Sequence, residues 1–318
     1  MGAVSFYMER NRVSYHNLYH AVDVMHACTL LLSSLGVGGL LTELEQLGLV
    51  LAGLCHDLDH PGLNNKYQVA SNSNLALRYN DQAPLEHHHL AIAFQILRRE
   101  PCDILGHLDQ EQKTALRAIM IVGILATDMS EHGQHITNVS VAVADFTPAG
   151  NREPDSGGGG GGGGVENGGR ASNGSGIGHI VSTMRRASAG PCSAATGLNM
   201  GSGGGGGRHR SGSMPGAEAE AMGLSDKDRV TIFSALLHGA DLSTSGRPWK
   251  TCKVWVLKLM EEFEFQADKE REAELPVSVM IGDQKGFINS VLSPFFTGLL
   301  PIAPGMCDEW MPNMLSNR

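Results

Sequence analysis

Four ionisable side chains, His56, Asp57, Asp59 and His60, fall within five residues of one another, directly behind an apolar run from Leu47 to Leu54. Burying such a group is costly unless the charges are paired or bind metal. Histidine nitrogen beside carboxylate oxygen is the donor set that suits zinc and, through the oxygens, magnesium or manganese. Other segments supply matching pieces. His16 and His20 are four residues apart, so on a helix they share a face. There both can ligate one metal, or one can ligate while the other moves a proton. Glu86, Thr127 and Asp241 each stand at or near a predicted helix end.

The elements that must position these groups read as helices. Apolar residues recur with a period near 3.6 from Tyr15 to Leu32, Glu43 to Leu54, Pro84 to Leu97, Thr114 to Ala126, Asp226 to His238 and Val254 to Phe265. No segment alternates as a strand would. Gly36, Gly38 and Gly39, the Pro61–Asn65 turn and Arg247-Pro248 punctuate the pattern, and a last core helix opens near Gly282. The fold class is all-α, a compact multi-helix domain. Its two parts, residues 1–144 and 224–318, are separated by residues 145–223, which hold 25 of the 41 glycines. Such a Gly/Ser-rich stretch cannot bury enough apolar surface to offset its ordering entropy, so a disordered insertion is expected. It carries Arg185-Arg186-Ala187-Ser188, a pattern that fits a basophilic kinase acting at Ser188.

Charge narrows the function. A net charge of −9 and a pI near 5.8 argue against a nucleic-acid partner, which would need clustered Lys and Arg. The six cysteines are scattered without a CxxC, as expected of reduced thiols rather than a disulfide framework. No apolar run approaches the ~20 residues that span a bilayer. The expected location is the cytoplasm, or the cytoplasmic face of a membrane within a larger protein.

Five ordered motifs carry a family likeness: HNxxHAxDV from His16, HDxDHPGxxN from His56, ATDM from Ala126, ADLS from Ala240 and QxGFI from Gln284. Together they resemble the catalytic domain of the class I 3′,5′-cyclic nucleotide phosphodiesterases, an HD-type metallophosphohydrolase fold. The resemblance implies that His20, His56, Asp57 and Asp241 hold a first metal, usually zinc. Asp57 would bridge to a second, magnesium or manganese, whose waters are held by His60, Glu86 and Thr127. A hydroxide activated by the two metals would attack the cyclic phosphate, with His16 as general acid oriented by Glu86. Gln284 would bind the purine edge between Phe287 and Leu259, and Asn65 would fix the turn or line the pocket.

Chain features around these motifs refine the expectation. The chain starts almost at the HNxxH motif, so further helices are expected ahead of it in a complete domain. The stretch from Pro276 to Gln284 is short for the family, and Thr244 stands where many members have Asn or Asp. The run from His60 to Leu97, with Arg247-Pro248 and Glu274–Val277, most resembles the cyclic GMP-specific, high-affinity branch, so cyclic GMP is favoured over cyclic AMP. A catalytically inactive nucleotide-binding regulator and another HD-type phosphohydrolase are the rival readings. A homodimer stays open.

Overall fold

The structure is a computed structural model that describes residues 2–144, 224–279 and 284–318. Among these residues there are helices and turns and no strand. In chain order the helices are α1 (Gly2–Glu9), α2 (Leu18–Ser33), α3 (Glu43–Cys55), α4 (Asn65–Ala70), α5 (Asn74–Tyr79), α6 (Pro84–Leu97), α7 (Gln110–Leu125) and α8 (His132–Ala144). After residue 223 follow α9 (Asp226–Asp241), α10 (Trp249–Glu272), α11 (Gln284–Phe287), α12 (Ser293–Leu299) and α13 (Trp310–Ser316). The expected insertion and Ser188 lie outside the described residues.

Local sequence starts these helices. Thr42 and Glu45 form a reciprocal capping box on α3, Asp109 and Gln112 one on α7, and Ser225 and Asp228 one on α9. Each satisfies two backbone donors that a helix start otherwise leaves unpaired. Two helix bounds differ from the periodicity. Asn17 caps α2 by accepting from the Tyr19 amide, so the helix begins at Leu18 and His16 precedes it. α10 starts at Trp249 directly after Pro248 and runs to Glu272, beyond the apolar stretch at either end.

α9 is the central element. It packs on α2, α3, α7 and α8, which joins residues 224 onward to residues 2–144. Eleven of its sixteen residues are buried, including Phe233, Leu236 and Leu237. α7 approaches closely at Gly123, where a Cβ would stand 2.5 Å from Phe233 Cε1. The buried Arg229 near the start of α9 is neutralised by Glu45 at 3.3 Å and Asp226 at 2.7 Å. Removing one member of such a buried set leaves an uncompensated charge. This core delivers the C-terminal end of α3, the N-terminal end of α2 and the C-terminal end of α9 to one place.

Candidate active site

The metal-type cluster assembles at that junction. His20 lies in the first turn of α2, His56 caps the end of α3 with Asp57 next to it, and Asp241 is the last residue of α9. His20 Nε2 stands 3.0 Å from Asp241 Oδ1 and 3.3 Å from Asp57 Oδ2. His56 Nε2 stands 2.9 Å from Asp57 Oδ2 and 3.3 Å from Asp241 Oδ1. Donors bonded to one cation at ~2.0–2.1 Å lie about 3 Å apart, so the four atoms have the spacing of a ligand set. His56 Nε2 and Asp57 Oδ2 are buried and make no hydrogen bond. His56 donates its other nitrogen to the Gly53 carbonyl at 2.9 Å, which leaves Nε2 with its lone pair towards the cluster. The donor chemistry therefore fits a divalent cation. Burial opposes ionisation of Asp57 and Asp241, but the neighbouring histidines outweigh it and hold both well below the usual carboxylate range.

Around this cluster the loop after α3 is tightly specified. Asp59 takes a left-handed φ of 65° and is held by Arg10, Asn11 and His88. Gly62 has a φ of 74°, and a Cβ there would meet Val13 Cγ1 at 2.9 Å, so glycine is required. The Gly62 amide donates to His60 Nδ1 at 3.0 Å, and His60 stacks on His16 with ring centroids 4.0 Å apart.

His16 has a carboxylate partner, but it is Glu262 of α10 and not Glu86 as expected. His16 Nδ1 makes a short contact with Glu262 Oε1, while the Tyr15 and His16 amides donate to Glu262 Oε2 at 2.9 and 3.1 Å. Burial pulls the His16 pKa down, yet the charges of Glu262 and Asp57 raise it to about 9. The same pairing holds Glu262 at about 2 against the upward pull of burial. Burial and the adjacent His16 charge push His60 down to about 3. The stacked pair is thus one imidazolium and one neutral imidazole at neutral pH.

Glu86 sits apart, in the first turn of α6. It accepts from Asn65 Nδ2 at 2.8 Å, and Asn65 Oδ1 in turn accepts from the Leu85 amide at 3.0 Å. Burial, then the charge of Asp128, raises Glu86 to about 7. Asn65 therefore ties α4 to α6 as well as facing the cleft. Thr127 is buried and donates to the Ile124 carbonyl at 2.8 Å.

A cleft of about 840 Å³ opens over this assembly. His16, Asp57, His60, Glu86, Thr127 and Asp241 line its floor, and Leu259, Gln284 and Phe287 line its wall. Gln284 Nε2 donates to Ser245 Oγ at 3.2 Å. Every residue expected at the site except His20 and His56 borders the cleft, and those two are fully buried behind Asp57 and Asp241.

The 3′5′-cyclic nucleotide phosphodiesterase family matches residues 15–311, which takes in all of these groups. The chain belongs to that family. Among curated relatives it is 28% identical over 318 residues to 3′,5′-cyclic-AMP phosphodiesterase 4C of Rattus norvegicus, covering 97% of this chain and 46% of the relative. It is 30% identical over 290 residues to 3′,5′-cyclic-AMP phosphodiesterase, isoform F, of Drosophila melanogaster, covering 89% of this chain and 34% of the relative. The chain thus spans less than half the length of these curated relatives. In structure it is similar to the phosphodiesterase domain of the RhoPDE fusion protein of the choanoflagellate Salpingoeca rosetta. That match has a TM-score of 0.71 at 27% identity and covers 99% of this chain and 79% of the other. The two curated phosphodiesterases are named for cyclic AMP, so they lend no support to the cyclic GMP branch that the local motifs suggested.

Glu262 and Tyr15 carry weight that sequence reasoning did not give them, and His89, which the sequence offered as a support of the site, stands against Asp57. Glu262 follows Leu259 by three residues and so shares its cleft-facing side of α10. A carboxylate on that face was the available signal. His89 donates to the Leu58 carbonyl at 2.6 Å and places Nε2 3.8 Å from Asp57 Oδ1. Tyr15 packs its ring on His20 and Trp255, with centroids 4.6 and 5.6 Å away. His132 and His238 form a buried contact of 2.9 Å between α8 and α9.

Proposed function

We propose that this chain hydrolyses 3′,5′-cyclic purine nucleotides to 5′-monophosphates, with His20, His56, Asp57 and Asp241 holding a first divalent cation. Zinc fits that mixed nitrogen and oxygen set, and magnesium or manganese fits an oxygen-rich second position beside Asp57. Two bound cations would neutralise the phosphate and lower the pKa of an attacking water. The chain's own contribution follows from the cleft. His16 carries a proton at neutral pH and gives it to the departing 3′ oxygen, which leaves poorly without one. Glu262 holds the ring in place and keeps it charged. His60, neutral and stacked on His16, together with Glu86 and Thr127, orders water at the floor of the cleft.

The nucleoside end falls to the cleft wall. Leu259 and Phe287 supply apolar surface for a flat ring, and the Gln284 amide offers one donor and one acceptor edge. An amide can turn to serve either purine. Similarity to relatives named for cyclic AMP favours that nucleotide, against the local motifs that favour cyclic GMP.

The observation that carries the reading is His16, paired with Glu262, beside a convergent His₂Asp₂ set in a cleft of about 840 Å³. The test is turnover of cyclic AMP and cyclic GMP by the purified chain with zinc and magnesium. Activity lost in both His16→Ala and Asp241→Ala supports it. Binding without turnover in the folded, metal-loaded chain would overturn it in favour of an inactive regulator. A kcat/KM strongly favouring cyclic GMP would overturn the cyclic AMP assignment alone.

A further inference from the structure

The turn that follows Asp241 is held by a helix outside the cleft. Leu242–Gly246 forms a short 3₁₀ turn in which Leu242, Thr244 and Ser245 border the cleft. A helical turn that stops leaves its last carbonyls without intrahelical donors, and buried carbonyls must then find partners elsewhere. Here α13 supplies them. The side-chain amide of Asn317, at the C-terminal cap of α13, donates to the Ser245 carbonyl at 2.9 Å and to the Arg247 carbonyl at 2.8 Å. Both of its hydrogens are thereby used. Asn313, one helical turn earlier, donates to the Gly246 carbonyl at 3.1 Å. Three consecutive carbonyls thus end on two side chains of one helix.

The packing around this contact is close. A Cβ on Gly246 would stand 3.0 Å from Trp310 Cβ and 3.4 Å from Trp310 Cα, so a side chain there would press α13 away. Arg247 pairs with Asp23 of α2 at 3.2 Å and lies over the Trp310 ring at 5.8 Å. On the cleft side of the same turn, Ser245 Oγ accepts from Gln284 Nε2. Asn317 therefore grips the main chain of the residue whose side chain grips Gln284. Neither Asn313 nor Asn317 borders the cleft.

We propose that Asn317 is a positioning residue for nucleotide binding, which fixes Ser245 and through it the Gln284 amide. This role rests on the reading of Gln284 as the contact to the base. An amide fixed beforehand loses less freedom when the nucleotide binds, so the effect belongs to KM. The experiment is steady-state kinetics with cyclic AMP and cyclic GMP on Asn317→Ala, Gln284→Ala and the double variant, with bound zinc and Tm measured alongside. Asn317→Ala should raise KM several-fold, with kcat and bound zinc changed less than about twofold. Tm should fall as well, because two buried carbonyls lose their donors. In the Gln284→Ala background the same substitution should change KM by less than about twofold, because residues acting through one contact do not add. Gly246→Ala is the second perturbation. It presses α13 off the turn without removing a hydrogen-bonding group, and it should give the same split and the same non-additivity. If only one of the two variants folds, that one decides. An unchanged KM overturns the proposal, as does a rise that persists in full without Gln284. Equal losses of kcat and zinc would mean that the turn acts on Asp241, and overturn it too. If Gln284→Ala itself leaves KM unchanged, the base contact fails and this role fails with it. Loss of folding in both Asn317→Ala and Gly246→Ala would leave α13 a part of the fold alone and overturn the proposal.

Discussion

Replacing Glu262 by glutamine isolates what the carboxylate does for His16. Glutamine keeps the size and can still accept from the Tyr15 and His16 amides, but it removes the negative charge. That charge is the main force lifting His16 from 6.5 to about 9 against burial. A move from 6.5 to about 9 corresponds to ~3 kcal/mol in favour of the imidazolium. Without it, burial opposes the remaining pull of Asp57 and Asp241, and His16 should titrate near or below 6.5. At pH 8 the protonated fraction then drops from about nine tenths to about three hundredths, a loss of about 30-fold in general-acid catalysis from protonation alone. At pH 6 most His16 is protonated in both proteins, so the deficit should shrink to whatever orientation contributes. The assay is kcat/KM against pH from about 6 to 10, with metal content measured at each end. The alkaline limb should move from near 9 to near 6.5. An alkaline limb at the same pH in both proteins would refute the assignment of His16 as the acid and Glu262 as its charge partner. A uniform loss at every pH would leave Glu262 a positional role and remove the electrostatic one.

Other perturbations test the remaining parts. Asp241→Ala should abolish turnover and also lower bound zinc measured by mass spectrometry, whereas a loss of turnover with full zinc would remove Asp241 from the ligand set. Glu45→Ala should destabilise the fold by ~3–5 kcal/mol, because Arg229 keeps only the edge carboxylate of Asp226. Chemical denaturation reads this directly, and a change under about 1 kcal/mol would show that Asp226 suffices. Gly123→Ala presses a methyl to within 2.5 Å of the Phe233 ring and should cost ~1–3 kcal/mol with a lowered Tm. Gln284→Ala should raise KM for both nucleotides by about tenfold with a smaller change in kcat, since a hydrogen bond to the base is uniform binding.

The legibility of this protein in its sequence divides along a physical line. Helices were readable because their signals are local: apolar spacing on α3 and α7, and capping side chains within three residues of each start. The residues that gather at the site were readable because several sit within a few positions of each other, as His56, Asp57 and His60 do, or recur in ordered motifs. Glu262 was not, because its meaning comes from a contact across 246 residues of chain. In sequence only its spacing of three from Leu259 sets it apart from the exposed Glu261 and Glu264 on the same helix. The expected Glu86 partner was chemically equivalent, a buried carboxylate at a helix start, whereas Glu262 reaches His16 from the middle of α10, and only the packing of α10 decides between them.

The start of α2 makes the same point about function. With both His16 and His20 on the helix, the two rings would be fixed one turn apart on a single face. Asn17 instead caps the helix at Leu18 and leaves His16 in the preceding turn. There its own amide and that of Tyr15 bind the carboxylate that its side chain also meets. Glu262 thus receives three donors from two consecutive residues and cannot follow the ring if the turn moves. In the proposed mechanism the cap separates His20, as a ligand, from His16, as a proton donor held by Glu262 of α10. On that reading, a donor held by one helix and ligands held by three others would let the acid be aligned to the leaving oxygen without disturbing the metal position. For that reason Asn17→Ala, which touches neither metal nor substrate, should lower kcat more than it lowers bound zinc. Equal losses of both would mean that His16 and His20 move as one unit after all.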